Sequence, residues 1–221
     1  MTDRTRHDEI THSRAGDVFV NPVTGERAVI VCGTADSTDG SLSVHLFVAP
    51  GGAVAAEHYH PQLVERFRVL SGHLAVSVEG RRSHMGPGDE LSIPPGVIHD
   101  WWNAGETEAE VLVEVTPGRR FELMVGSLFG LARDGKVNAK GMPNLLQLAV
   151  MASEFDDTVR FVKPSPIVQK LLFAVLAPLG RLLGYRPYYA EYLVPAEHIE
   201  PERSVLDMVR SHHAAPRTAL A

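Results

Sequence analysis

One cysteine, Cys32, stands in a chain of 221 residues. Its solitude excludes an internal disulfide framework and any zinc or iron–sulfur site built from several cysteines, and it fits a reducing cytoplasm. Basic runs are also missing: the net charge is −6, so the phosphate-neutralising surface that nucleic-acid binding requires is not there. Nor is there a long hydrophobic run. The longest, LLFAVLAPLG from Leu171 to Gly180, is interrupted by Pro178 and bounded by Lys170 and Arg181, well short of the roughly 20 residues that span a bilayer. It reads as a buried or interfacial helix. The opening residues, MTDRTRHDEITHSRAGD, are of mixed charge and hold no apolar segment suited to a signal peptide. No internal repeat or low-complexity tract is visible.

What is present is enough apolar material, 44%, for a substantial core. From Asp17 to Pro117 short runs of Val, Leu and Ile alternate with polar residues, as in Leu42, Val44, Leu46 and Val48, and turn signals such as NPVTGE, STDGS and GPGDE separate them. This pattern predicts a mainly β sandwich or barrel over 17–117. After Gly118 the period changes: Phe121, Met124, Leu128 and Leu131 recur at three- and four-residue intervals. A helical extension is expected over 118–200, with one helix capped by Asn144 and another opened by Ser165-Pro166. A polar arm, 1–16, precedes the barrel, and 201–221 reads as a partly disordered tail.

The chemistry concentrates in GGAVAAEHYHPQLVERFRVLSG, Gly51 to Gly72. Residues two apart on a strand face the same way, so His58 and His60 present two imidazoles together. Glu65, five residues beyond His60, would face away on a continuous strand; Pro61-Gln62 supply a turn that resets the register. His99 follows the rigid PPG turn in GDELSIPPGVIHDWWN. Buried ionisable groups are costly unless paired or bound to a cation. Three imidazoles and a carboxylate suit a divalent first-row ion, with Fe, Mn, Co, Ni, Cu and Zn all compatible.

At these residues the chain resembles the cupin family. Gly52, His58, His60, Glu65 and Gly72 fall at the spacing of its first motif, and Gly88, Pro94, Gly96, His99 and Asn103 at that of its second. The resemblance covers Asp17 to Pro117. It implies a double-stranded β-helix, the cupin jelly-roll barrel, with metal at His58, His60, Glu65 and His99, Fe(II) being preferred. It further implies a metal-dependent enzyme acting on a small organic molecule, most concretely an O2-dependent oxidation of the dioxygenase type in which Glu65 can serve as a base. The alternatives are a non-redox isomerase, cyclase or lyase, and a non-catalytic small-ligand binder.

Around that group, Phe67 and Trp101 share strand parity with Glu65 and His99 and are candidates for the pocket wall. His45 is a third, although it lies opposite the Leu42-Val44-Leu46-Val48 face. Trp102 is expected to pack on the helical extension; Glu90, Glu110 and Glu114 could supply a general acid or base, with solvated carboxylates near strand ends as the simpler reading. The apolar residues of the extension, Phe121, Leu128, Leu172, Phe173, Leu176 and Leu179 among them, are expected to dock on the barrel or in a homodimer interface. Contact of the C-terminal helix with a membrane surface, or a lid role, is the alternative.

Overall fold

The computed structural model describes residues 12–54 and 56–214. Ten strands come first: β1 (Asp17–Asn21), β2 (Glu26–Cys32), β3 (Leu42–Val48), β4 (His58–Tyr59), β5 (Val64–Ser71), β6 (Leu74–Val78), β7 (Arg81–Met85), β8 (Glu90–Ile93), β9 (His99–Asn103) and β10 (Ala109–Thr116). Then follow α1 (Arg119–Arg133), α2 (Leu145–Glu154), β11 (Arg160–Phe161), α3 (Pro166–Leu182), a 3-10 turn over Ala190–Leu193, β12 (Glu197–His198) and α4 (Arg203–Ala214).

The strands form two antiparallel sheets, ordered β12-β1-β2-β3-β10-β5-β8 and β11-β4-β9-β6-β7. Alternation decides what lies between them: Leu42, Val44, Leu46 and Val48 point inward, together with Val111, Val113 and Val115 of β10 and Phe67 and Val69 of β5. The architecture is a mainly β jelly roll with a C-terminal helical extension.

The extension is woven into the barrel. Its β11 joins the smaller sheet beside β4, and its β12 joins the larger one beside β1. Leu123, Met124 and Leu131 of α1 form a second core with Met151 of α2, Phe155 just beyond it, and Tyr192 and Leu193 of the 3-10 turn. Asn144 caps α2 as expected, its Oδ1 accepting from Leu146 N and Gln147 N at 3.1 Å each.

Within the tail, Val205 and Val209, four apart on α4, bury themselves against Val31 and Leu112 on the outer face of the larger sheet; residues 215–221 lie outside those described. The apolar residues of α3 are only partly docked. Phe173 and Leu176 pack toward Ala149 and Val150 of α2, with Ala177 between them, but Leu179 is exposed.

Candidate metal centre

Backbone pairing brings the two motifs together. His58 on β4 is the direct cross-strand partner of His99 on β9, and Gly96 N donates to His60 O at 2.8 Å. Gly96 does so from φ +82°, a left-handed conformation that disfavours a side chain. Residues 60–63 leave strand geometry before β5 begins. That break returns Glu65 to the interior, where it faces Ile93 on β8 and Val115 on β10.

All four side chains are buried, and one ligand atom from each lies within 4.8 Å of the others. Glu65 Oε2 is 3.0 Å from His99 Nε2 and 3.3 Å from His60 Nε2. Each imidazole is anchored through its other nitrogen. His58 Nδ1 donates to Ala56 O at 2.9 Å, His60 Nδ1 to Thr158 O at 2.7 Å and His99 Nδ1 to Val97 O at 3.0 Å. Holding the Nδ1 proton on a carbonyl orients the ring and leaves the Nε2 lone pair for the centre of the group.

The electrostatics match that arrangement. Burial, reinforced by His99 and His60, pushes the His58 imidazole down to about 3. Burial alone would raise Glu65, but the imidazoles of His60 and His99 outweigh it and hold the carboxyl far below its usual range. Burial disfavours the His99 cation, yet Glu65 more than restores it and the net shift is upward. His60 Nε2 has no hydrogen-bond partner although it is fully buried. A buried polar atom without a partner is expensive, and a cation among the four side chains satisfies it. The donor set therefore fits a divalent metal ion.

His58, His60 and Glu65 of this group open onto a cavity of about 190 Å³. Phe67 and Trp101 form part of its wall, and Phe121, Met124, Leu148 and Met151 of α1 and α2 close it over. Phe121 sets its ring edge-on to His60, 5.8 Å between centroids. His45 does not line it: one position out of phase with Val44 and Leu46, it lies on the outer face of β3 with Nε2 3.0 Å from Glu110. Trp102 is not under the extension but beside Arg82, on the outer face of β9. Glu90 pairs with Arg68, and Glu114 with Ser43 and His212, away from the cavity.

Two contributors escape the sequence reading. Glu26 shares inward parity with Ala28 and Ile30 and lines the same cavity. It accepts a short hydrogen bond from Thr24, and burial raises its carboxyl to about 7. The parity of ERAVIVC was its signal. The other is the Thr158 carbonyl, 98 residues from His60, a backbone atom that carries no sequence signal.

A family model described as a cupin domain matches residues 44–115. Protein SchB of Streptomyces halstedii is 33% identical over 104 residues, 47% of this chain and 68% of that protein. Quercetin 2,3-dioxygenase of Bacillus subtilis is 28% identical over 79 residues, 36% of this chain and 23% of that enzyme. An oxidoreductase of Arthrobotrys oligospora is 26% identical over 153 residues, 64% of this chain and 60% of that protein. The match to the dioxygenase thus spans about a quarter of that enzyme's length. With both motifs, the jelly-roll topology and these relatives together, the chain belongs to the cupin superfamily.

Proposed function

We propose that this chain is a metal-dependent enzyme that acts on a compact, largely apolar organic molecule, most concretely an O2-dependent oxidation. His58, His60, Glu65 and His99 would hold one divalent ion, Fe(II) first. The observation that carries the reading is the convergence of three carbonyl-anchored imidazoles and one ionised carboxylate at the wall of an apolar cavity. Similarity to a named dioxygenase and a named oxidoreductase supports the redox form. A first-row ion held by four protein groups supplies open coordination positions for substrate and oxygen.

The chain's own residues do the rest. Thr158 fixes the His60 ring, while Phe67, Trp101 and Phe121 shape the cavity and keep water from it. Glu65, held ionised, is a weak base. Glu26 is level with Val48 of β3, whereas Glu65 is level through Val115 with Leu42, six positions along that strand. Glu26 therefore addresses the end of a bound molecule remote from the four-residue group. With its carboxyl near 7 it donates or accepts a hydrogen bond there near neutral pH.

The test is elemental analysis of protein purified without a histidine tag, followed by an oxygen-electrode screen against catechols, flavonols, diketones and thiols. About one ion per chain and oxygen uptake with one substrate class are expected. Turnover that persists under strict anaerobiosis would replace oxidation with Lewis-acid chemistry. Tight ligand binding without turnover would make the chain a binding module.

A further inference from the structure

Helix α3 turns a stripe of large apolar side chains to solvent. Ile167 is 73% exposed, Leu171 67%, Val175 69% and Leu182 85%, with Val168 and Leu179 also exposed beside them. At about 3.6 residues per turn these positions share one face. The opposite face holds Gln169, Ala177 and Gly180, which are buried. Gly180 lies so close to Val150 and Leu146 of α2 that an added methyl group would contact them at 2.7 and 3.0 Å. The helix is thus fixed by the side that carries Phe173, Leu176, Ala177 and Gly180, and nothing among the described residues covers the stripe of Ile167, Leu171, Val175 and Leu182.

Charge says what covers it. From Lys163 to Ala190 the chain contains Lys163, Lys170, Arg181 and Arg186 and no carboxylate, within a molecule of net charge −6. All four cations are exposed, and none is ion-paired among the described residues. Lys170 and Arg181 are eleven residues apart, about three turns, so both lie on one flank of the apolar stripe. Long cationic side chains at the edge of an apolar helical face reach up to anionic headgroups while the face enters the acyl boundary. A second copy fits less well. Antiparallel twofold pairing centred on Val175 sets Arg181 of each copy beside Lys170 of the other, with no carboxylate in the segment to offset the repulsion.

We infer that α3 is a docking face for an anionic lipid surface, on which it lies flat. No helix among the described residues is long and apolar enough to cross a membrane. α2 connects this face to the cavity: Leu148 and Met151 line the cavity, while Ala149 and Val150 hold α3. The docked chain thus carries its apolar cavity one helix away from the bilayer.

The test is co-sedimentation of the full chain with vesicles of phosphatidylcholine and phosphatidylglycerol at three to one, compared with phosphatidylcholine alone. Binding to the anionic vesicles is expected, at least tenfold weaker to the neutral ones and at least tenfold weaker when salt rises from 50 to 500 mM. Leu171→Gln with Val175→Gln, both at exposed positions, should weaken it at least tenfold, as should Lys170→Glu with Arg181→Glu, with circular dichroism unchanged. Failure of the full chain to sediment with anionic vesicles would overturn the inference, as would binding that ignores both double variants. Sedimentation equilibrium separates the other occupant: a dimer dissociated by the Leu171 and Val175 changes, in protein that ignores vesicles, would assign the face to a second copy.

Discussion

The barrel and the helical extension build one site from different materials. The barrel contributes functional side chains, two imidazoles on paired strands, a third just beyond β4, and a carboxylate on β5. The extension contributes a backbone carbonyl at Thr158, an apolar cover from α1 and α2, and a strand, β11, that prolongs the sheet carrying His58. Side chains that bind a cation must be of particular types at particular spacings, whereas a cover need only be apolar and a carbonyl can come from any residue. The barrel part therefore leaves a sharp sequence record and the extension a diffuse one.

The largest expected effect comes from separating the two. Ending the chain after Pro117 keeps all four side chains of the site but removes the Thr158 carbonyl and uncovers the apolar interior around Phe19, Phe67 and Phe129's neighbours on the barrel. An aggregating product, or one without a cooperative unfolding transition, is expected. A soluble truncation with full metal occupancy would show that the barrel is self-sufficient and that the comparison is wrong.

Replacing His58 and His60 with Ala tests the other half. Elemental analysis should find less than a tenth of the wild-type metal. The unfolding temperature should fall too, because an ion that binds only the native state at a hundredfold excess over its Kd contributes about 3 kcal/mol. The apo forms of variant and wild type should differ much less. Full occupancy in the variant would move the metal elsewhere.

A smaller effect is expected within the extension alone. The backbone of Gly130 on α1 sits directly against the Tyr192 ring, where an added methyl group would overlap it. Gly130→Ala should cost roughly 1–3 kcal/mol in urea unfolding through overpacking while leaving metal content unchanged. A matching loss of metal would mean that the α1 contacts govern the site more tightly than a cover does.

The same division explains what the sequence made legible. Alternation in β3 and the spacing of His58, His60 and Glu65 follow from strand period, so the barrel and the four-residue group could be read directly. Parity with Glu65 and His99 made Phe67 and Trp101 candidates for the wall. Alternation along β3 put His45 opposite the inward Leu42-Val44-Leu46-Val48 face, and there its Nε2 meets Glu110. Thr158 was unreadable because its side chain is irrelevant to its role. The docking of α4 was hard to read because polar residues outnumber Val205 and Val209, although two valines at a helical spacing suffice to seat a short helix.

Glu26 offers the smallest and most specific test, since it belongs to the barrel and lines the cavity that α1 and α2 close over. Its carboxyl is raised from 4.5 to about 7 by burial, against a hydrogen bond from Thr24 that lowers it. A raised folded value means that the folded protein holds the proton more tightly than the unfolded chain. The contribution of Glu26 to stability is therefore complete below about 4.5, declines as pH rises through the window to about 7, and stays low above it. The shift corresponds to about 3 kcal/mol at most, and partial solvent contact of the side chain reduces that to roughly 1–3 kcal/mol. Glu26→Gln removes the titration and keeps the shape. Urea unfolding at pH 5 and pH 8 should then show wild type losing 1–3 kcal/mol relative to the variant between the two, with shifts common to both proteins cancelling. Parallel stability curves would mean that Glu26 is solvated, and that the cavity is open to water at the end remote from His58, His60, Glu65 and His99.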